Sequence, residues 1–389
     1  MIMSKRWIFF VVIIIVGVGL AYGGKLYQQA LEGREQGADE GNLTGQEMLF
    51  QQAEEIVGGM SDEELVGQLL IAGFSGTEPD YYIKRMIELR HFGGVILFGR
   101  NVESAEQVQA MTAALQQLAQ AGGTLPLWIC VDEEGGIVRR LQGIVDAETN
   151  PPELASLNDP KYTENMAEAV GHQLRELGIN VNFAPVVDIG FPQGIMVERS
   201  FGADADQVAE LGAALVRGYH AGGVMATAKH FPGLGRAVTD PHGEPVVIAA
   251  DRATLAEDLR PFQAMIAEDV DIVMVSHALY PAYDETAIAT MSVKIQEELL
   301  RQQLGFAGII VADDIEMGAA LAKGSVGAVA VAMVLAGADQ LLLCHTPEKQ
   351  AEAYDAIVAA VADGTITRSR LEASAVRIVM AKLSMGMLN

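Results

Sequence analysis

From residue 61 onward the chain alternates between short apolar runs and amphipathic stretches. The runs cover 69–74, 94–98, 125–131, 179–187, 224–228, 272–276, 308–312 and 338–343. Several are continuous rather than alternating, which is how strands buried on both faces read. Between them, apolar positions recur at helical spacing over 105–119, 163–177, 206–221, 252–268 and 292–304. Ser61 with Glu64 has capping-box spacing and opens a first helix. Eight strands separated by helices predict an α/β fold, a (β/α)8 TIM-type barrel. A doubly wound open sheet is the runner-up, because one strand more or fewer changes the closure. No second composition regime follows Ser61, so the pattern predicts a single catalytic domain over 61–389.

The amino-terminal part differs. Lys5 and Arg6 precede an apolar run of sixteen residues, Trp7 to Tyr22. A spanning helix wants about 20 residues, and a signal-peptide core about 7–15. The run falls between the two, so 1–25 reads as an uncleaved anchor or a cleaved signal, with a buried helix as the remaining alternative. The first two place the body of the protein outside the cytoplasm, since the positive flank keeps the amino terminus inside. Residues 26–60 read as a polar linker, a flexible tether with glycines at 33, 37, 41 and 45.

Charge and composition narrow the function. Fifty-one acidic against 26 basic residues leave a net charge of −25, which argues against nucleic acid as a partner. The 50% apolar content argues against disorder. Two cysteines, Cys130 and Cys344, exclude a disulfide scaffold or a cysteine zinc cluster. Both lie in apolar runs and read as buried thiols, one bridge being the alternative. No HExxH, CxxC or EF-hand loop occurs, and no Gly-rich phosphate loop in the right context, so neither metal nor cofactor is expected.

Polar residues collect where the apolar runs end. The third run leads into Asp132-Glu133-Glu134-Gly135-Gly136, the fourth ends at Asp188, and the fifth gives Lys229-His230-Phe231-Pro232-Gly233. The sixth gives Ser276-His277 and the seventh Asp313-Asp314. Barrel active sites sit at this carboxyl face, and a charge directly after a buried strand is costly unless solvated or paired. Each residue also has a plainer reading. Asp314 suits a helix N-cap, Lys229 and His230 suit an ion pair and a core histidine, and Gly135-Gly136 suits a turn. Asp240-Pro241-His242 places a carboxylate two residues from an imidazole, able to fix its tautomer, or else makes a surface turn. Metal-free acid–base or covalent chemistry by carboxylate and imidazole is what these residues allow.

The chain resembles glycoside hydrolase family 3, and within it the β-N-acetylglucosaminidase branch. The stretches that carry the resemblance are VDEEGGIVRRL (131–141), NFAPVVDIG (182–190), ERSFG (198–202), KHFPGLGRAVTDPH (229–242) and VADDIEMGAA (311–320), over about 61–381. The resemblance implies a (β/α)8 barrel and a retaining exo-β-N-acetylhexosaminidase. Asp313 is then the nucleophile, His242 the acid/base and Asp240 its orienting partner. Asp132, Arg140, Arg199, Lys229 and His230 grip the terminal sugar. It also implies a carbohydrate partner, a GlcNAc-containing glycan or muropeptide from the cell wall, beside the membrane met through residues 7–22. Three positions depart from the family's pattern. Leu234 and Ile137 replace a histidine and an arginine, and Pro241 replaces a serine and stiffens its loop. A phosphorylase of the same fold, or a non-catalytic sugar-binding module at the membrane, are the alternatives.

Overall fold

The computed structural model describes residues 44–146, 150–239 and 246–388. Eight parallel strands close into a barrel. They are β1 (Leu70–Gly73), β2 (Gly94–Leu97), β3 (Trp128–Val131), β6 (Val181–Asn182), β7 (Met225–Phe231), β8 (Ile272–Val275), β9 (Ile309–Ala312) and β10 (Gln340–Leu343). Each predicted apolar run supplies one of them. Each strand pairs with its successor around the ring, and β10 closes onto β1 with Leu70 opposite Leu341. The open-sheet alternative is therefore excluded. A two-stranded hairpin, β4 (Glu133–Gly135) and β5 (Val138–Arg139), leaves the ring directly after β3.

The helices follow the amphipathic stretches, with local adjustments. The stretch 163–177 begins earlier, as Pro160–Glu176, because Asp159 accepts a hydrogen bond from the Tyr162 N–H and Pro160 needs no N–H partner in the first turn. The stretch 252–268 splits into Arg252–Asp258 and Arg260–Ala267. Pro261 explains the break, since it lacks the N–H that would continue the hydrogen-bond ladder of the first helix. The last stretch winds as a π-helix over Lys294–Gln303.

The larger departure lies before residue 61. Part of the expected tether is a helix, Gly45–Gly58, with Thr44 and Glu47 forming a capping box. Its Ala53 and Val57 are buried, and it packs against the carboxyl-terminal helix Arg368–Ser384. Residues 1–43, including the apolar run, lie outside the described residues. Among the described residues no helix is long and apolar enough to cross a membrane. Cys130 and Cys344 are free and buried.

The barrel floor is closed by polar groups as well as apolar ones. Trp128 fills the interior, and Gly94 makes room for it: a Cβ there would stand 2.8 Å from the Trp128 Cβ. Lys382, fully buried, reaches in from the carboxyl-terminal helix. Its Nζ donates to Gln68 Oε1 at 2.7 Å and sits 5.4 Å from the Trp128 ring centre. No carboxylate pairs with it among the described residues. Burial therefore drags its pKa down to about 7, with Cys130 nearby only partly opposing this. A lysine depressed in the folded state costs stability as pH falls from its unfolded value toward 7, and the cost is constant below that. Lys382→Met keeps the volume and removes the charge. The variant's stability gain over the wild type is expected to grow by about 2.5 kcal/mol from pH 9 to pH 6. Urea unfolding at the two pH values measures it, and equal gains at both would show that the amine is not desolvated.

Candidate active site

The carboxyl ends of the strands bring the predicted residues to one mouth. Lys229, at the end of β7, is only 2% exposed. Its Nζ donates to Asp132 Oδ1 after β3 and to Glu134 Oε1 on β4, at 2.6 Å each. Asp132 and Glu134 are two residues apart in extended chain, so both point the same way. Arg199 comes from the long connection after β6 and grips Glu134 with both sides of its guanidinium, at 2.8 and 2.7 Å. One buried carboxylate thus holds two cations. Burial alone would raise the Glu134 pKa, but Lys229 and Arg199 outweigh it and carry it down to about 2. Burial likewise works against the charge of Lys229 and Arg199, and their acidic partners more than compensate.

Gly135 and Gly136 let the chain turn back after Glu134. Their φ values of 84° and 62° lie in the left-handed region. The returning strand is tied to Glu133, whose Oε2 accepts the N–H groups of Arg140 and Leu141 at 2.8 and 2.9 Å. Glu133 is therefore a structural brace, while the Arg140 side chain is free to serve. Its guanidinium lies 5.8 Å from the Phe98 ring centre, and its buried Nε has no hydrogen-bond partner among the described residues.

His230 faces the same mouth. Its Nδ1 donates to Asp188 Oδ2 at 2.7 Å, so Nε2 is left to meet a ligand. Asp188, at the end of the fourth apolar run, also accepts the Leu234 N–H at 2.6 Å. This explains why leucine serves at 234: its side chain joins the core and its backbone does the binding. Ile137, by contrast, is 64% exposed on the hairpin turn.

Asp313 follows β9 directly. Its Oδ1 accepts the N–H of Asp314 at 2.8 Å. Burial would raise its pKa, but the charges of His230 and Lys229, with that backbone hydrogen bond, bring it below the usual carboxylate range. Asp313 is thus ionised at neutral pH. Its neighbour behaves oppositely. Asp314 turns toward the β10 loop, where Oδ1 accepts the N–H groups of Glu316 and Cys344. Burial, with Glu316 and Asp313 close by, raises it to about 7. Asp314 is not the N-cap of a helix; the next one starts at Gly318 after Met317.

Of the predicted site residues, Asp132, Lys229, His230, Arg199 and Asp313 converge, and Arg140 stands at the edge beside Phe98. Asp240 and His242 lie outside the described residues. Glu134, Asp188 and His277 contact these residues or the backbone beside them, and sequence reasoning attached no role to them. Among the described residues no group of three His, Cys, Asp or Glu side chains is arranged to hold a metal ion. A depression of about 500 Å³ at the opposite end of the barrel, lined by Gln116, Asn180 and Met387, holds no comparable cluster.

A closed parallel barrel with an ionised, half-buried carboxylate, a carboxylate-bridged lysine and arginine, and an oriented histidine at its carboxyl face defines an enzyme of the barrel class. The glycosyl hydrolase family 3 N-terminal domain matches residues 61–381, and the chain belongs to that family and is a glycoside hydrolase. It is 37% identical over 302 residues to a β-hexosaminidase of Stenotrophomonas maltophilia, a match that covers 74% of this chain and 87% of the relative. Among solved structures it is similar to a family 3 β-N-acetylglucosaminidase from a Paenibacillus species, with a TM-score of 0.83 and 39% identity. That alignment takes in 85% of this chain but spans 63% of the Paenibacillus protein's length. A β-N-acetylhexosaminidase from Beutenbergia cavernae aligns with a TM-score of 0.77 and 32% identity, over 84% of this chain and 99% of the other.

Proposed function

We propose that the protein is a retaining exo-β-N-acetylhexosaminidase that removes terminal β-linked N-acetylglucosamine. The observation that carries this reading is the ionised Asp313 carboxylate, half-buried in the same mouth as the Asp132–Lys229–Glu134–Arg199 network. Relatives named for this activity support the choice of sugar.

In this reading the charged network and Arg140 bind the hydroxyl and acetamido groups of the terminal sugar. His230, fixed by Asp188, offers Nε2 to one of them. An Asp313 oxygen attacks the anomeric carbon as the bond from that carbon to the leaving oxygen breaks. His242, oriented by Asp240, gives its proton to the leaving oxygen. Water then attacks the same carbon, loses its proton to His242, and releases Asp313. Two inversions give net retention. A histidine suits the second role because its pKa lies near neutrality. The substrate proposed is a cell-wall fragment, a GlcNAc–MurNAc glycan or muropeptide. Residues 7–22 would place the enzyme outside the cytoplasm, anchored or secreted.

The test compares turnover of a GlcNAc-β-1,4-MurNAc fragment with a cellobiose control, with and without phosphate. Free N-acetylglucosamine from the first alone is the expected product, formed as the β-anomer. Release of the sugar 1-phosphate would instead identify a phosphorylase, and binding without turnover would identify a sugar-binding module.

A further inference from the structure

We propose that His277 is a positioning residue for Asp313, acting through the backbone of Asp314; the inference rests on Asp313 being the nucleophile. His277 follows β8 and is 1% exposed. Its Nε2 lies 2.9 Å from the Asp314 carbonyl oxygen. A carbonyl only accepts, so Nε2 carries the hydrogen and Nδ1 is left with a lone pair. The Thr290 hydroxyl, 2.8 Å away, supplies the donor for it. Both partners are satisfied by one neutral tautomer. Burial, which pulls the His277 pKa down, favours that neutral form.

Thr290 is itself held. Its N–H donates to the Ser276 carbonyl at 3.2 Å, and its own carbonyl accepts from Gln296 Nε2 at 2.8 Å. Thr290 and Gln296 are fully buried. The chain of contacts therefore runs from the helix Lys294–Gln303, through a threonine and an imidazole, to a single carbonyl beside the site.

That carbonyl matters because Asp314 is gripped at both ends of its backbone. Its C=O accepts from His277 at 2.9 Å and from the Met317 N–H at 3.0 Å, and its N–H is the donor to Asp313 Oδ1. The two groups belong to adjacent peptide planes hinged at one Cα, so a shift of the carbonyl reaches the N–H through the Asp314 φ and ψ. Loss of the His277 contact leaves that carbonyl only its Met317 bond, lets the Asp314 backbone shift, redirects its N–H, and lets the Asp313 carboxylate drift from the direction of attack. Displacement of a reacting group by about 1 Å is worth roughly a hundredfold in rate. Sugar binding is served by other residues, so the effect falls on kcat.

A plain core histidine would matter only for stability, and amide replacements separate the two roles. The amide nitrogen of Gln reaches the position of Nε2 and can still donate to Asp314, whereas Asn reaches only the position of Nδ1. Both remove the buried ring. His277→Asn is expected to lose about 30-fold in kcat with KM unchanged. His277→Gln should stay within about threefold of wild type while melting at a similar, lowered temperature. Thr290→Val frees Nδ1 and should cost kcat less than His277→Asn; it serves if the histidine variants do not fold.

The order of experiments keeps the two ideas apart. Wild-type enzyme is first labelled with a slow 5-fluoro glycosyl fluoride of N-acetylglucosamine, and the labelled peptide is mapped. A label on another residue removes Asp313 as nucleophile, and the relay with it. With the label on Asp313, equal kcat losses in the Asn and Gln variants, or an unchanged kcat in Thr290→Val, would overturn the relay alone.

Discussion

Asp313→Ala should abolish release of p-nitrophenol from p-nitrophenyl β-N-acetylglucosaminide, with kcat down roughly 10⁴-fold and the fold intact. The carboxylate stands at the end of β9, ionised, with His230 and Lys229 holding its charge in a half-buried place. No other carboxylate among the described residues matches it. Asp132 and Glu134 are committed to Lys229. Asp314 points away from the mouth and is pushed to about 7, so it is half protonated where Asp313 is fully charged. The alanine leaves room on the face that Asp313 occupied. Azide added to the variant should enter there and displace an activated leaving group, giving the glycosyl azide of α configuration. Recovery of the β azide, or wild-type turnover without azide, would reject Asp313 as the nucleophile.

Glu134→Gln is expected to cost about 3 kcal/mol of stability and to lower kcat/KM about a hundredfold. Glutamine has the same shape but no charge to offer Lys229 and Arg199. Lys229 keeps Asp132, while Arg199 loses both of its carboxylate contacts. A buried cation without its partner is costly because the solvation it gave up is not returned. The pH dependence gives a second readout. The Glu134 pKa is depressed to about 2, so the carboxylate's contribution is present above its unfolded value and is lost as pH falls toward 2. The variant lacks this contribution, so the wild type's advantage should shrink steadily between about pH 4.5 and pH 2. Urea midpoints within about 0.5 kcal/mol of wild type at pH 7 would show that the two cations do not depend on this carboxylate.

The barrel was legible in the sequence because parallel strands, buried on both faces, leave unbroken apolar runs, and helices between them leave a different period. The site was partly legible for a related reason. Asp132, Lys229 and Asp313 are charges set where a buried strand ends, and strand ends of a barrel share one face. Glu134 carried a usable signal that went unread. It lies two residues beyond Asp132 in a segment that two glycines turn back, so a shared direction followed from the extended geometry. His277 carried less, since nothing local separates a histidine that grips a carbonyl from one that merely fills space. Its role depends on Thr290 and Asp314, which come from other parts of the chain. The helix Gly45–Gly58 was hidden by its composition: it is largely polar, and only Ala53 and Val57 are fully buried. Thr44 and Glu47 nevertheless had the spacing of a capping box.

The docking of that helix on Arg368–Ser384 sets the practical limits of the catalytic unit. Cutting the gene to the family's matched span, 61–381, would strip an apolar stripe from the carboxyl-terminal helix and delete Lys382 from the barrel floor. An expression fragment that respects the packing keeps 44–388. Fusion partners and purification tags belong outside those limits, where they leave the two end helices joined.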